Sequence, residues 1–114
     1  MLNNIKQQKN KMGYIIVTTT IENQKDADEL AKKIIEVKLG ACVQAWEIKS
    51  TYRWKGKIEL KKEFKLEIKT PSENYSRLKE FIIENHKYEI PEIVAVKIKN
   101  GYGKYLNWIE EAVY

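Results

Sequence analysis

The sequence predicts an α+β sandwich, and three observations carry that prediction. Two stretches, 26–40 and 70–85, space their apolar residues helically, and between them lies a long segment that alternates with period two. Runs rich in β-branched residues stand near either end of this block, at 13–21 and 92–98. Runs of the two periods interleave, so both kinds of element share one core.

Taken in order, "GYIIVTTTI" is apolar on both alternating faces, the pattern of a central strand. In "DADELAKKIIEVKLG", Ala27, Leu30, Ala31, Ile34 and Ile35 form a helical stripe. Asp26 with Glu29 resembles a capping box, and Gly40 is the expected left-handed stop. From Ala41 to Trp54 one alternating face carries Cys42, Gln44, Trp46, Ile48, Ser50, Tyr52 and Trp54. After a break at Lys55–Lys57, Ile58, Leu60, Phe64, Leu66 and Ile68 alternate with glutamates and lysines, which makes a long β-hairpin. "TPSE" then predicts a helix start, with Thr70 as N-cap, Pro71 at the first helical position and Glu73 closing the box. Tyr75, Leu78, Phe81 and Ile82 continue the stripe until it fails near Asn85. "EIVAVKI" is a last short strand, and "GYG" leads into a small helix with Tyr105, Trp108, Ile109 and Ala112 on one face. The order β-α-β-β-α-β with a short C-terminal helix is the ferredoxin-like arrangement, with both main helices on one face of an antiparallel sheet.

Composition limits the function. At 114 residues and 43% hydrophobic, the chain is long enough for one core without disulfide or metal staples. We expect a polar tail over residues 1–12 and a single domain over 13–114. The formal charge of +5 includes three tail lysines with no acid among them, leaving about +2 on the body, too little for a nucleic-acid surface. The first twelve residues lack the apolar region of a secretory signal, and no apolar run is long enough to span a bilayer. The one cysteine, Cys42, fits a reducing cytoplasm. No phosphate-binding glycine motif or nucleophile motif is present, so we expect a protein that is not an enzyme. The first strand ends in "TTT" where metal-chaperone relatives of this fold carry C-x-x-C. An RNA-recognition module would need stacking aromatics on its central strands, and here the outward face of the third strand alternates Glu and Lys.

Two features go beyond the fold. Hairpin arms of this length reach about 40 Å, whereas the covering helices span about 20 Å. Half of the hairpin therefore projects, carrying Tyr52, Trp54, Ile58 and Leu60, a cluster expected to pack within the tip or against a second subunit. The only histidine, His86, precedes Tyr88, Glu89, Pro91 and Glu92. Imidazole with carboxylates suits a divalent transition metal, so His86, Glu89 and Glu92 form a candidate metal site. A histidine at that position also suits the C-terminus of a helix, where a cation is favoured.

Several phrases together, "LGACVQ", "STYRWKGKIE", "EIKT", "HKYEIPEI" and "YLNWI", resemble the CutA family of divalent-ion-tolerance proteins in order and spacing after Met12. The resemblance implies a homotrimer in which long hairpins engage neighbouring subunits, with Trp46, Tyr52, Trp54 and Ile58 at the interface. It implies tolerance of divalent metals, copper above all, with copper or zinc as the metal and none required for folding. Similar trimers of the PII signalling proteins imply a binding or signalling role, the alternative being a scaffold trimer with no metal ligand of its own. The family signature falls on His86, Tyr88, Glu89, Pro91 and Glu92, and its K-T on Lys69 and Thr70. Lys69 and Tyr88 are thus expected in a cleft between subunits that holds a small ligand. Lys87 stands where the family usually has proline, and Thr18, Thr19 and Thr20 stand where some members carry a first-strand cysteine.

Overall fold

The computed structural model describes residues 13–114, so the expected polar tail at 1–12 lies outside the described residues. The elements are β1 (Tyr14–Ile21), α1 (Gln24–Glu36), β2 (Cys42–Trp54), β3 (Lys57–Pro71), a 3₁₀ turn (Ser72–Asn74), α2 (Tyr75–Glu84), β4 (Val94–Lys97) and α3 (Gly103–Val113). The strands form one antiparallel sheet in the order β2-β3-β1-β4. This is the expected ferredoxin-like topology.

The register assigns the two faces of the sheet. Ile15, Val17, Thr19 and Ile21 of β1 stand opposite Thr70, Ile68, Leu66 and Phe64 of β3. With Ala27, Leu30 and Ile34 of α1 and Leu78 and Ile82 of α2, these residues make the core. The other face carries Ile16, Thr18 and Thr20, the Lys/Glu column of β3 and the aromatic column of β2. One end of that open face is closed by α3, where Ile109 and Val113 pack with Ala41, Tyr14 and Leu106.

Local chemistry corrects three expectations. Helix α1 starts earlier than Asp26: Asn23 is its N-cap and accepts from the Asp26 backbone N–H at 2.9 Å. Its end is a Schellman motif in which Lys38, not Gly40, takes the left-handed conformation (φ 59°). The Lys38 N–H donates to Ile35 O and the Leu39 N–H to Ile34 O. Gly40 is needed for close approach instead, because a Cβ there would lie 2.6 Å from Ile68 Cγ2 and 2.9 Å from Ile34 Cγ2. Thr70 does not cap α2. It stays in β3 and is fully buried, where its hydroxyl donates to Leu39 O and accepts from Asn74 Nδ2, tying β3 to the end of α1. On α3, Ile109 is buried, while Tyr105 and Trp108 are 38% and 44% exposed and stack on each other at 5.6 Å.

The projecting hairpin is present. Pairing of β3 with β1 stops at Ile21↔Phe64, while β2 and β3 remain paired from Ile48↔Glu63 out to Trp54↔Lys57. The described residues are correspondingly elongated, 56 × 26 × 21 Å. A two-residue turn closes the tip, Lys55 and Gly56 having φ of 50° and 79°, the left-handed pair that a tight hairpin needs. That turn fixes parity and corrects the expected tip cluster. With Trp54 opposite Lys57, Tyr52 and Trp54 point to the open face, whereas Ile58 and Leu60 point to the helix-side face beyond the reach of the helices. Ile58 and Leu60 are 66% and 79% exposed.

Candidate functional site

A connecting strap, residues 85–93, runs from the end of α2 to β4 and crosses the end of β1. Its first anchor is His86. The Tyr88 backbone N–H donates to His86 Nδ1 at 3.1 Å, so Nδ1 is the acceptor nitrogen. Nε2 then carries the proton and donates to the Thr20 carbonyl at 2.7 Å. Both ring nitrogens of the neutral imidazole are thus engaged by the fold.

The second anchor is Tyr88. Its ring packs 4.8 Å from that of His86, and its hydroxyl donates to Glu63 Oε2 of β3 at 2.7 Å. The Lys61 ammonium sits 4.5 Å above the Tyr88 ring centroid. Glu63 is only 5% exposed although it belongs to the projecting part of the hairpin, because Tyr88 covers it. Burial, and after it the hydrogen bond to Glu63, hold the Tyr88 phenol well above its ordinary pKa. The third anchor is an exposed ion pair from Lys87 Nζ to Asp26 Oδ2 at 3.0 Å, which ties the strap to the first turn of α1. The hydrogen bond from Lys87 lowers the Asp26 carboxyl and raises the Lys87 ammonium.

Between the strap and the open face of the projecting hairpin lies a cleft of about 600 Å³. Tyr52, Trp54 and Tyr88 supply its aromatic surface, Glu63, Glu89 and Glu92 its carboxylates, and Lys61 and Lys87 its cations. Lys87 is paired with Asp26, and Lys61 lies 4.0 Å from Glu22. Glu63, Glu89 and Glu92 form no ion pair among the described residues. The cleft is therefore left with uncompensated negative charge, which attracts cations.

The structure brings together some of the expected site residues. Tyr88, Glu89 and Glu92 line the cleft together with Tyr52 and Trp54, which were expected at a subunit interface. His86 stands behind them as part of the strap. Among the described residues, no group of three His, Cys, Asp or Glu side chains is placed to hold a metal ion. A centre made of His86, Glu89 and Glu92 does not fit this arrangement, because an imidazole that both donates and accepts within the fold has no lone pair left for a metal. Lys69 lies elsewhere in the protomer: it is paired in register with Cys42 and Ile16, and its Nζ donates to Gln44 Oε1 at 2.7 Å. Lys69 and Tyr88 do not meet within one chain. Cys42 is likewise remote from His86, which contacts Thr20, opposite Lys65 and four register positions along β1 from Ile16. Lys61 and Glu63 were missed as site residues. The length of the hairpin was the only signal for them, since nothing local marks two members of a Lys/Glu alternation.

Comparison with known proteins agrees with this architecture. A family model described as CutA1 divalent ion tolerance protein matches residues 15–112. The divalent-cation tolerance protein CutA of Thermotoga maritima is 39% identical over 99 residues, covering 87% of this chain and 98% of its own. That of Archaeoglobus fulgidus is 38% identical over 94 residues, covering 82% and 92%. The solved A. fulgidus structure, described as a periplasmic divalent cation tolerance protein, superposes with a TM-score of 0.87 at 36% identity, over 89% of this chain and 99% of that one. Pyrococcus horikoshii CutA1 superposes with a TM-score of 0.85 at 33% identity, over 88% and 98%. The match thus spans the sheet, the projecting hairpin and the strap that form the cleft, and the chain belongs to the CutA1 divalent ion tolerance protein family.

Proposed function

We propose that the protein is a trimeric, non-catalytic binding protein that takes a cationic ligand in the cleft between strap and hairpin, and that tolerance of divalent metals such as copper follows from this binding. The observation that carries the reading is the set of three carboxylates, Glu63, Glu89 and Glu92, facing one cleft without a cationic partner among the described residues. A copper or zinc ion there would meet the oxygens of Glu89 and Glu92, hard donors that select poorly among divalent ions. His86 serves by holding the strap.

The trimer is supported by the projecting hairpin. Trp46, Tyr52 and Ile58 are 43%, 39% and 66% exposed, and a lone chain seldom leaves such side chains in water. In the trimer a neighbour covers Trp46 and Ile58 and caps the open side of the cleft, whose wall keeps Tyr52. This is also where a neighbour's Lys69 would approach Tyr88. A PII-like signalling role fits a ligand held between subunits, and the single cysteine fits the cytoplasm. Sedimentation velocity tests the assembly: the wild type sediments as a trimer, and Ile58→Lys shifts it toward monomer. A wild-type monomer contradicts the proposal.

The second reading, a scaffold trimer with no ligand of its own, is favoured by the engagement of both His86 nitrogens. Equilibrium dialysis against copper and zinc separates the two: uptake that Glu89→Gln/Glu92→Gln abolishes supports the binding protein, and absence of uptake supports the scaffold.

A further inference from the structure

We propose that the cleft recognises an organic ammonium group attached to an apolar body, in preference to a bare metal ion. The inference rests on the reading of this cleft as the ligand site and names the chemical class that fits it.

Three observations converge. First, the lining of the cleft is net negative, three glutamates against two lysines, and each lysine also faces a carboxylate from outside it, Lys87 facing Asp26 at 3.0 Å and Lys61 facing Glu22 at 4.0 Å. Glu63 is a buried carboxylate whose hydrogen-bond partner is the neutral Tyr88 hydroxyl, so its charge is unpaired at the floor of the cleft. Second, the remaining wall is aromatic, with Tyr52, Trp54 and Tyr88 around the same space. Aromatic faces attract alkylammonium groups, which shed water far more readily than a small dication does. Third, the cleft already receives an ammonium from its own chain, since Lys61 Nζ lies 4.5 Å above the Tyr88 ring. The side chain thus marks where a ligand cation would sit. A volume of about 600 Å³ accommodates more than one ammonium headgroup. A bare metal ion is held less well, by the Glu89 and Glu92 carboxylates alone, with His86 withdrawn and no three ligating side chains gathered among the described residues.

Lys61 is then an internal competitor, which yields a test that loss-of-function variants cannot imitate. The probe is benzyltrimethylammonium, titrated calorimetrically into the full-length assembled protein, with benzyl alcohol as the uncharged control of the same ring. The expected result is saturable binding of the ammonium and none of the alcohol. Lys61→Met should tighten binding about fivefold, because it removes the competing cation while keeping the aliphatic stem. Glu89→Gln/Glu92→Gln, an isosteric change at two exposed positions, should weaken it about tenfold. Equal binding of the alcohol, no saturation up to about 10 mM, or unchanged or weaker affinity in Lys61→Met would each overturn the inference. Copper and zinc titrations of the same proteins separate this failure from that of the underlying reading. Metal uptake lost in the glutamine variant, with no ammonium binding, would sink the ammonium inference alone. Absence of both would sink the cation cleft as well.

Discussion

The Tyr88 hydroxyl donates a 2.7 Å hydrogen bond to the carboxylate of Glu63, a residue 25 positions away and buried on the strand it reaches. This contact closes the floor of the cleft and joins the strap to the hairpin, so its removal should be felt in stability and in binding together. Tyr88→Phe leaves Glu63 covered by an apolar ring with no donor, a loss of about 1–3 kcal/mol. Urea denaturation followed by circular dichroism measures it. A cost within error of zero would mean that water replaces the phenol and that the strap is not anchored there.

The same contact sets a pH dependence. The folded state holds the Tyr88 phenol above its ordinary value of 10.0, chiefly by burial and then by the bond to Glu63. A pKa raised on folding gives stability that is complete below the unfolded value and declines as pH rises above it, since only the unfolded chain then gains by ionising. Melting temperatures should therefore fall as pH rises above the unfolded value of 10.0, and the fall should be smaller in Tyr88→Phe. Identical profiles for the two proteins would remove Tyr88 as the cause.

His86 is assigned to the fold, which makes a prediction opposite to that for a metal ligand. His86→Phe removes the donor to Thr20 O and the acceptor for the Tyr88 N–H, costing about 2 kcal/mol. At temperatures where the variant is folded, uptake of copper or zinc per subunit stays at the wild-type level. Loss of uptake with unchanged stability would restore His86 as a ligand.

The end of α1 gives two substitutions of opposite sign. Gly40→Ala forces a methyl group against Ile68 and Ile34 in a closed core and should destabilise by about 1–3 kcal/mol. Lys38→Gly relieves a left-handed backbone at an exposed position and should stabilise by about 0.5–1 kcal/mol. Thermal denaturation of the two variants checks both signs, and a stabilised Gly40→Ala would show that the close approach is not real.

The topology was legible because hydrophobic period and turn chemistry are local properties of the chain. The interleaved stripes gave the order of strands and helices, and the hairpin length gave the projection. Cap chemistry was less legible. "LG" after a helical stripe and "TPSE" before one both carry strong local signals, yet Gly40 is required by Ile68 across the core and Thr70 by the Leu39 carbonyl. In each case a tertiary contact decides what the residue does. The tip cluster was misjudged for a smaller reason, since one residue more or less in the turn reverses every face beyond it. Of the candidate site, Tyr88, Glu89 and Glu92 were visible as a motif. Lys61 and Glu63 were not, because their role depends on where the strap crosses the hairpin, and no local pattern encodes that crossing.

A trimer that binds cations through its cleft carboxylates should lose its metal when those carboxylates are neutralised. Native mass spectrometry after equilibration with micromolar copper and zinc, on the wild type and on Glu89→Gln/Glu92→Gln, tests it most directly. Both proteins should appear as trimers, with retained metal in the wild type and none in the variant. Equal metal retention by both trimers, or a wild-type monomer, would contradict it.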